Sequence, residues 1–567
     1  MVLSRVLWIV LFLCLIGELV SWSASSTAGV TTSDAAAQDF INRHVARVRP
    51  LEIAVGLAWW EANTTGSDEA FARKEQAQNR LDAALADPQV FADLKQLRTQ
   101  GGVQDPLLKR QLDVLYLQYL EKQVDPELLK QITAKANAIE KAFNVYRARV
   151  GDKEMTDSEV RKVLRDSRDS AQRKAVWEAS KDVGKVVEAD LKELVKLRNQ
   201  AARKLGFRDY HQMMLHLAEQ DQNDVLRLFD ELDTLTRQPF LQMKKEIDVR
   251  LAAYCGIPVN ELRPWHYHDP FFQEAPAIYE TSLDAVYAKV DILDLCRRFY
   301  AGIGLPVDDV LARSDLYERK GKSPHAFCTD IDREGDVRVL ANIVPNEYWM
   351  ATMLHELGHA VYTSKNIPQT VPYVLRTESH ILTTEGIAML FEQFSKSADW
   401  LQQMGVKVEN PESFDRTGRQ MRRNQLLIFS RWCQVMLRFE KAMYENPDQD
   451  LNKLWWDLVE KYQAVARPEG RNAPDYASKI HIVSAPCYYH NYMMGELFAC
   501  QVHHTIAREV LKTTPDKASY VGRKEVGDFL KTKVFAPGKT LAWNALTEHA
   551  TGEKLNAKAF AADFAKP

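Results

Sequence analysis

The chain has 567 residues, of which 46% are hydrophobic, 10% aromatic and 27% charged, a balance that excludes a disordered or fibrous protein. A formal net charge of −3 gives no reason to expect a nucleic acid or an anionic membrane as a partner. The seven cysteines lack C-x-x-C spacing, which excludes a dense disulfide framework and leaves room for one or two bridges. We therefore expect the fold to depend on its hydrophobic core.

The first residues have the layout of a secretory signal peptide. Arg5 precedes an almost wholly apolar run from Val6 to Gly17, and small residues follow as far as Ala28. The run is shorter than the roughly 20 residues that a transmembrane helix needs, and Glu18 interrupts it. We predict that residues 1–28 are removed, that the mature protein is periplasmic or secreted, and that no stable membrane insertion follows.

From Asp39 to about Ala253 the sequence is typical of helices almost throughout. Asp125 before a proline indicates a helix start, and Thr156 with Glu159 has the spacing of a capping box. Residues 256–278 break this pattern with proline, histidine and aromatic residues. We expect an irregular connection between two halves there.

The one convincing β signal comes later, just before a predicted helix. Residues 325–328, a turn at 334–336 and residues 337–343 predict a hairpin that leads directly into that helix. A strand in this position could bind an extended peptide by strand addition. A purely structural hairpin is an equally good interpretation of the sequence alone.

The helix predicted over residues 348–362 contains His-Glu-x-x-His. His355 and His359 are four residues apart, so their rings lie on one helix face and can bind the same zinc ion. Glu356 lies beside them, where its carboxylate can act as a general base on water without binding the metal. Asn346 is a suitable N-cap for this helix.

A catalytic zinc ion keeps three protein ligands, so a third must come from elsewhere. The following segment offers Glu378, Glu385 and Glu392, which recur every seven residues and would share one helix face. Spacing alone does not choose between them.

A further polar group lies near the C-terminal end. Lys479 and His481 are followed by a segment with several tyrosines, residues 486–492. Histidine and tyrosine donors suit a developing oxyanion. Polar tips on a packed aromatic helix are the alternative interpretation.

Taken together, these motifs resemble the angiotensin-converting enzyme family of peptidyl-dipeptidases, from about Ala37 to the C-terminus. HELGH is similar to the family's HEMGH, and the interval from Arg376 to Glu385 matches its REGANPGFHE. Four more stretches resemble its HASAWD, WWSL, KYQG and KFH: His325-Ala326 with Asp330, Trp455 to Leu458, Lys461 to Gln463, and Lys479 to His481.

The resemblance implies roles for individual residues. Glu385 becomes the third zinc ligand, with Glu378 as runner-up, and Glu356 the base. His481 and Tyr492 would hold the tetrahedral intermediate. The substrate would be bound by residues at four other positions: His325, Ala326, Lys479 and Tyr489.

The sequence also departs from the family pattern. His481 lies one residue further from the tyrosine pair than in the family, so Tyr488 stays open as a substitute for Tyr489. Tyr267 takes the place of a glutamine that helps bind the substrate's terminal carboxylate. Met389 stands where the family has an aspartate that orients the zinc histidines, so their orientation must come from elsewhere.

The resemblance implies a mostly α-helical fold, an ellipsoid of two halves around a deep cleft with a small hairpin beside the zinc helix. Residues 29–567 would form one domain with halves at approximately 35–255 and 279–567. The predicted function is a zinc metallopeptidase with one zinc per chain. It would release C-terminal dipeptides from short peptides by a Glu-activated zinc-bound water. An oligopeptidase or carboxypeptidase is the alternative, and a catalytically silent peptide-binding protein is a third.

Overall fold

The structure is a computed structural model that describes residues 32–99, 102–279 and 282–564. These residues form a mostly α-helical fold with two small antiparallel hairpins, which confirms the predicted fold class. The predicted signal peptide lies outside the described residues. In the part of the chain that is described, no helix has the length and apolar character needed to cross a membrane.

The first half is built from long helices. They are α1 (Thr32–Thr65), α2 (Asp68–Leu85), α3 (Pro88–Thr99), α4 (Pro106–Glu121), α5 (Pro126–Val145), α6 (Asp157–Asp166), α7 (Ser170–Lys181), α8 (Val183–Lys204), α9 (Tyr210–Leu217) and α10 (Gln222–Cys255). The predicted start signals are confirmed, because Asp125 caps α5 and Thr156 forms a capping box with Glu159 at α6.

A short hairpin that the sequence did not predict interrupts this half. Strands β1 (Ala148–Val150) and β2 (Lys153–Met155) pair antiparallel, with Gly151 at φ +59° in the turn. The prediction of almost continuous helix is wrong at this point. Each strand has only three residues, and charged side chains at Arg149, Lys153 and Glu154 leave no alternation of apolar residues to recognise.

The second half begins after an irregular stretch that follows Cys255, as predicted. Its helices are α11 (Asp284–Tyr287), α12 (Ile292–Gly302), α13 (Asp308–Arg313), α14 (Glu347–Val361), α15 (Ile381–Glu392), α16 (Ala398–Gln403), α17 (Pro411–Glu445), α18 (Leu451–Gln463), α19 (His481–Ser484), α20 (Tyr489–Thr505), α21 (Lys524–Phe529), α22 (Trp543–Thr551) and α23 (Lys558–Ala562).

The predicted hairpin that leads into the His-Glu-x-x-His helix is confirmed. Strands β3 (Phe327–Asp330) and β4 (Val337–Leu340) pair antiparallel, with Phe327 opposite Leu340. The other edge of β4 forms a bridge with Asp315, and the ring of Trp59 from α1 lies 4.1 Å from that of Phe327. These contacts hold β3 between the first half and α14.

Helices α14, α15 and α20 cross the centre of the core. They approach closely at two glycines, because a Cβ on Gly386 would lie 2.7 Å from the carbonyl oxygen of Gly495 on α20. A Cβ on Gly358 of α14 would likewise lie 2.7 Å from the Cα of Ala388. No side chain larger than hydrogen fits at either crossing, so the three helices are held at fixed distances.

Disulfides do not contribute to the described part of this fold. Its six cysteines are all free thiols: Cys255, Cys296, Cys328, Cys433, Cys487 and Cys500. The large buried core carries the stability instead, as the composition predicts.

Candidate metal centre and peptide-binding site

Helix α14 presents the two histidines of the His-Glu-x-x-His motif to one side. Its N-cap is Asn346, whose side chain accepts a hydrogen bond of 2.9 Å from the backbone N–H of Trp349. Met353 and Leu357 are fully buried on the core face. The ring centroids of His355 and His359 lie 4.7 Å apart, one turn above the other.

Glu385 on α15 completes a group of three ligand atoms. The Nε2 atoms of His355 and His359 are 3.1 Å apart, and the Glu385 carboxylate lies 3.6 Å and 3.9 Å from them. Tetrahedral ligands with bonds of about 2.0–2.2 Å are separated by roughly 3.3–3.6 Å. The donor types fit a zinc ion, and the three separations lie within about 0.3 Å of this range.

The other two glutamates take different positions. Glu378 accepts a hydrogen bond of 2.5 Å from the hydroxyl of its neighbour Thr377 and is not part of the ligand group. Glu392 lies 2.7 Å from Nδ1 of His355, on the far side of the ring from the ligand nitrogen. Of the three candidates, only Glu385 joins the histidines in the group that could hold a metal ion.

Glu392 and Thr384 orient the two histidine rings. The Thr384 hydroxyl lies 2.7 Å from Nδ1 of His359, as Glu392 does from His355. With Nε2 facing a metal, Nδ1 of His355 carries the ring proton and donates a hydrogen bond to Glu392. Glu392 lies almost one turn beyond Met389 on the same face of the helix. It supplies the carboxylate that is missing at position 389.

Charges in this site act strongly on one another. Burial lowers the pKa of His355, but the hydrogen bond and charge of Glu392 outweigh it and raise that pKa to about 9. Glu356 is only 7% exposed, and burial together with the nearby Glu385 and Glu392 raises its pKa to about 7. A bound cation would act in the opposite direction and favour the Glu356 carboxylate.

Lys479 marks a second polar group in the site. Its Nζ donates a hydrogen bond of 2.7 Å to the side-chain oxygen of Gln273 and lies 5.3 Å from the ring centre of Tyr489. Burial lowers the pKa of Lys479 to about 8. An ammonium and a glutamine amide together are suited to bind a carboxylate.

Gln273, rather than Tyr267, is the neighbour of Lys479. Tyr267 is 2% exposed and hydrogen-bonds to Lys244 and Asp248, away from Lys479. The polar partner of Lys479 in this part of the chain is therefore a glutamine, six residues after Tyr267. Gln273 directly follows Phe271 and Phe272, and this aromatic-rich setting was the signal that could have identified it.

The aromatic residues lie between Lys479 and the ligand group. The ring of Tyr489 is 5.1 Å from that of His481 and 5.9 Å from that of Tyr492. Tyr488 lies 5.0 Å from Tyr492, and burial followed by the charge of Glu385 raises the pKa of both phenols. Tyr489 therefore lies on the side of the site near Lys479, and Tyr488 and Tyr492 lie on the side near Glu385.

His481 has an unused ring atom in this space. Its Nδ1 is buried and has no hydrogen-bond partner in the described chain. Burial, followed by the charge of Lys479, lowers the pKa of His481 to about 4, so the ring is neutral near pH 7. A buried polar atom without a protein partner is free to accept or donate a hydrogen bond to a water molecule or a bound ligand.

His325 and Ala326 precede strand β3 at the edge of this site. His325 is exposed and Ala326 is partly buried. The backbone of Cys328 faces Glu356 on α14 and favours its charged carboxylate. The strand edge therefore runs next to the general-base candidate.

Comparison with known proteins agrees with these motifs. A family model described as "Angiotensin-converting enzyme" matches residues 31–248 and 280–567. The chain is 21% identical to angiotensin-converting enzyme of Theromyzon tessulatum over 72% of this chain and 70% of that protein. It is 20% identical to mouse angiotensin-converting enzyme-like protein Ace3 over 72% of this chain and 59% of that protein.

A third relative is matched over a shorter region. The chain is 24% identical to the angiotensin-converting enzyme-related protein of Drosophila melanogaster over 40% of this chain and 38% of that protein. The family model spans almost the whole described structure and includes every residue of the ligand group. The chain therefore belongs to the angiotensin-converting enzyme family of peptidases.

Proposed function

We propose that this protein is an exported zinc metallopeptidase that releases dipeptides from the C-termini of short peptides. The observation that carries the proposal is the pairing of the group His355, His359 and Glu385 with a separate carboxylate-binding group at Lys479 and Gln273. One zinc ion per chain, held by the first group, would polarise the scissile carbonyl and make water more acidic.

The protein's own residues supply the proton transfers and the binding of charge. Glu356 takes a proton from the attacking water and later delivers it to the leaving amine. The Tyr492 hydroxyl and the His481 ring, as donors, stabilise the negative charge that develops on the scissile carbonyl oxygen. Both side chains lie close to Tyr489, which connects them to the carboxylate-binding group.

The carboxylate-binding group at Lys479 and Gln273 determines how the substrate is positioned along the site. Lys479, Gln273 and Tyr489 bind the terminal carboxylate, and the strand edge at His325 and Ala326 binds the peptide backbone. A fixed terminal carboxylate determines which peptide bond reaches Glu356. The oligopeptidase and carboxypeptidase alternatives rest on Tyr267 in place of the glutamine, and the Gln273 side chain beside Lys479 favours the dipeptidase proposal over them.

Replacing the general base tests the reaction class. We expect Glu356→Gln to keep one zinc per chain while turnover falls by about 10²- to 10⁴-fold, because the ligands stay and the base is lost. Zinc is measured by mass spectrometry of the metal and turnover with an internally quenched peptide. Glu378→Gln, outside the ligand group, serves as the control and should keep both. Unchanged hydrolysis by zinc-loaded Glu356→Gln would contradict the proposal.

A further inference from the structure

A cavity of about 350 Å³ lies beside the ligand group. Its walls come from α15, α17, α20 and the irregular segment at 275–279. Met389, Leu426 and Phe429 contribute apolar surface, and four charged side chains complete it: Glu392, Lys396, Arg422 and Glu496. Cavities of this size and mixed lining are typical of binding sites for small ligands.

Three of the four charged side chains have partners of opposite charge or hydrogen-bond partners. Lys396 lies 2.9 Å from Glu347, and Arg422 lies 3.5 Å from Asp563. Glu392 is held by His355 at 2.7 Å. The ion pairs of Lys396 and Arg422 are therefore made with carboxylates outside the lining, while the charge of Arg422 also acts on Glu496.

Glu496 differs from the other three. It is 8% exposed, and it has no hydrogen bond or ion pair within 4.0 Å among the residues that the structure describes. Burial, followed by the charge of Glu392, raises the pKa of Glu496 to about 7. The charge of Arg422 offsets part of this shift, and a cation that enters the cavity would stabilise the Glu496 carboxylate further.

The position of the cavity relates it to the substrate. On one side, Glu392 contacts the zinc-ligand candidate His355. On the other side lies Ala275, two residues after Gln273. Its backbone N–H donates a hydrogen bond of 3.0 Å to the side chain of Gln425. The cavity thus lies between the metal group and the carboxylate-binding group, where the residues of a leaving dipeptide would lie.

We propose that this cavity is a specificity pocket for a lysine or arginine side chain in the released dipeptide, with Glu496 as its charge partner. The proposal rests on the proposed peptidase function. Met389, Leu426 and Phe429 contact the alkyl part of the side chain, and Glu496 accepts hydrogen bonds from its charged end.

The test uses blocked peptides that differ only in carrying lysine, norleucine or glutamate at one of the last two positions. Binding is measured by calorimetry in the zinc-loaded Glu356→Gln protein, and kcat/KM in the wild type. We expect lysine to bind at least about 10-fold more tightly than norleucine at one position. Adding Glu496→Gln should remove this preference. Glu440→Gln, a buried carboxyl on α17 outside the cavity, should keep it.

Equal binding of the lysine and norleucine peptides, or a lysine preference that survives Glu496→Gln, would overturn the pocket. A preference for glutamate would overturn it as well, because it would identify Arg422 as the charge that selects the ligand. If the wild type cleaves none of the peptides, the proposed function fails separately. A lysine preference in binding that depends on Glu496 would then still support the pocket, and its absence would overturn it.

Discussion

At the scale of single residues, Glu392 determines how His355 faces the metal. Its carboxylate lies 2.7 Å from Nδ1, so when a metal occupies the Nε2 side the remaining ring proton stays on Nδ1. The His–carboxylate pair also increases the basicity of the ring and fixes its rotation. The site therefore does not need a carboxylate at the position of Met389.

Removing this carboxylate should weaken metal binding. We expect Glu392→Gln to raise the zinc dissociation constant by about 10- to 100-fold, since partners that orient a ligand commonly have effects of this size. Competition with a chromophoric chelator measures the constant. Glu378→Gln should leave it unchanged because Glu378 accepts a hydrogen bond from Thr377 and lies outside the ligand group. Equal zinc affinity in Glu392→Gln and the wild type would show that the hydrogen bond is not needed.

The lowered pKa of Lys479 predicts a descending limb in the pH dependence of kcat/KM. Its pKa is lowered to about 8 by burial, so the side chain is charged below that pH and neutral above it. Binding of a terminal carboxylate should therefore be complete below pH 8 and be lost as the pH rises through it. We expect kcat/KM for free-acid peptides to fall above about pH 8, because this parameter reports groups of the free enzyme.

Peptides with a C-terminal amide provide the control for this profile. They carry no terminal charge for Lys479, so the same limb should be absent from their profile. An identical fall for both kinds of peptide would assign the limb to another group. Lys479→Met should abolish the difference between the two profiles.

Much of the site was predictable because its residues are close in sequence. His355, Glu356 and His359 occupy one helix turn, and helical spacing alone brings them together. Glu385 could not be selected by spacing, since Glu378 and Glu392 share its seven-residue interval. Gln273 was missed because it meets Lys479 across 206 residues of chain, and local pattern carries no information on that contact.

At the scale of elements, the close approach of α15 and α20 positions the site. Gly386 follows the ligand Glu385, and the opposing Gly495 precedes Glu496. A Cβ on Gly386 would lie 2.7 Å from the Gly495 carbonyl oxygen and 2.8 Å from the Phe498 ring. Any added side chain must push the two helices apart.

Gly386→Ala should therefore destabilise the protein. Overpacking of a core usually costs about 1–3 kcal/mol, and here the backbone cannot yield without moving Glu385. Urea denaturation followed by circular dichroism measures the loss. Gly56→Ala in α1 is the matched control, since its nearest contacts are at 3.5 Å and alanine favours helix more than glycine does. A Gly386→Ala protein as stable as the control would contradict this description of the crossing.

The two hairpins show what local sequence can predict about elements. Strands β3 and β4 were recognised because valine and leucine follow a clear turn at Gly335. Strands β1 and β2 carry mainly charged side chains outward, and they are stabilised by the helices around them. Their β-structure is a consequence of tertiary context rather than of propensity.

At the scale of the whole molecule, composition and periodicity predict a helical protein with a large core, but not how its helices are arranged. That arrangement depends on contacts between distant parts of the chain. Gln220 from the first half, for example, bonds to both His490 and Asn491 on α20. Only the resemblance to a known family provided this information before the structure.

The central claim is that the terminal carboxylate of the substrate selects the bond that is cut. The most direct measurement is digestion of matched free-acid and amidated peptides, with the products identified by mass spectrometry. We predict that free-acid peptides lose C-terminal dipeptides in succession, and that the amides are cut at least about 10-fold more slowly, because they forgo a charge-assisted hydrogen bond to Lys479. Equal cleavage of both kinds at internal bonds several residues from the end would contradict the account.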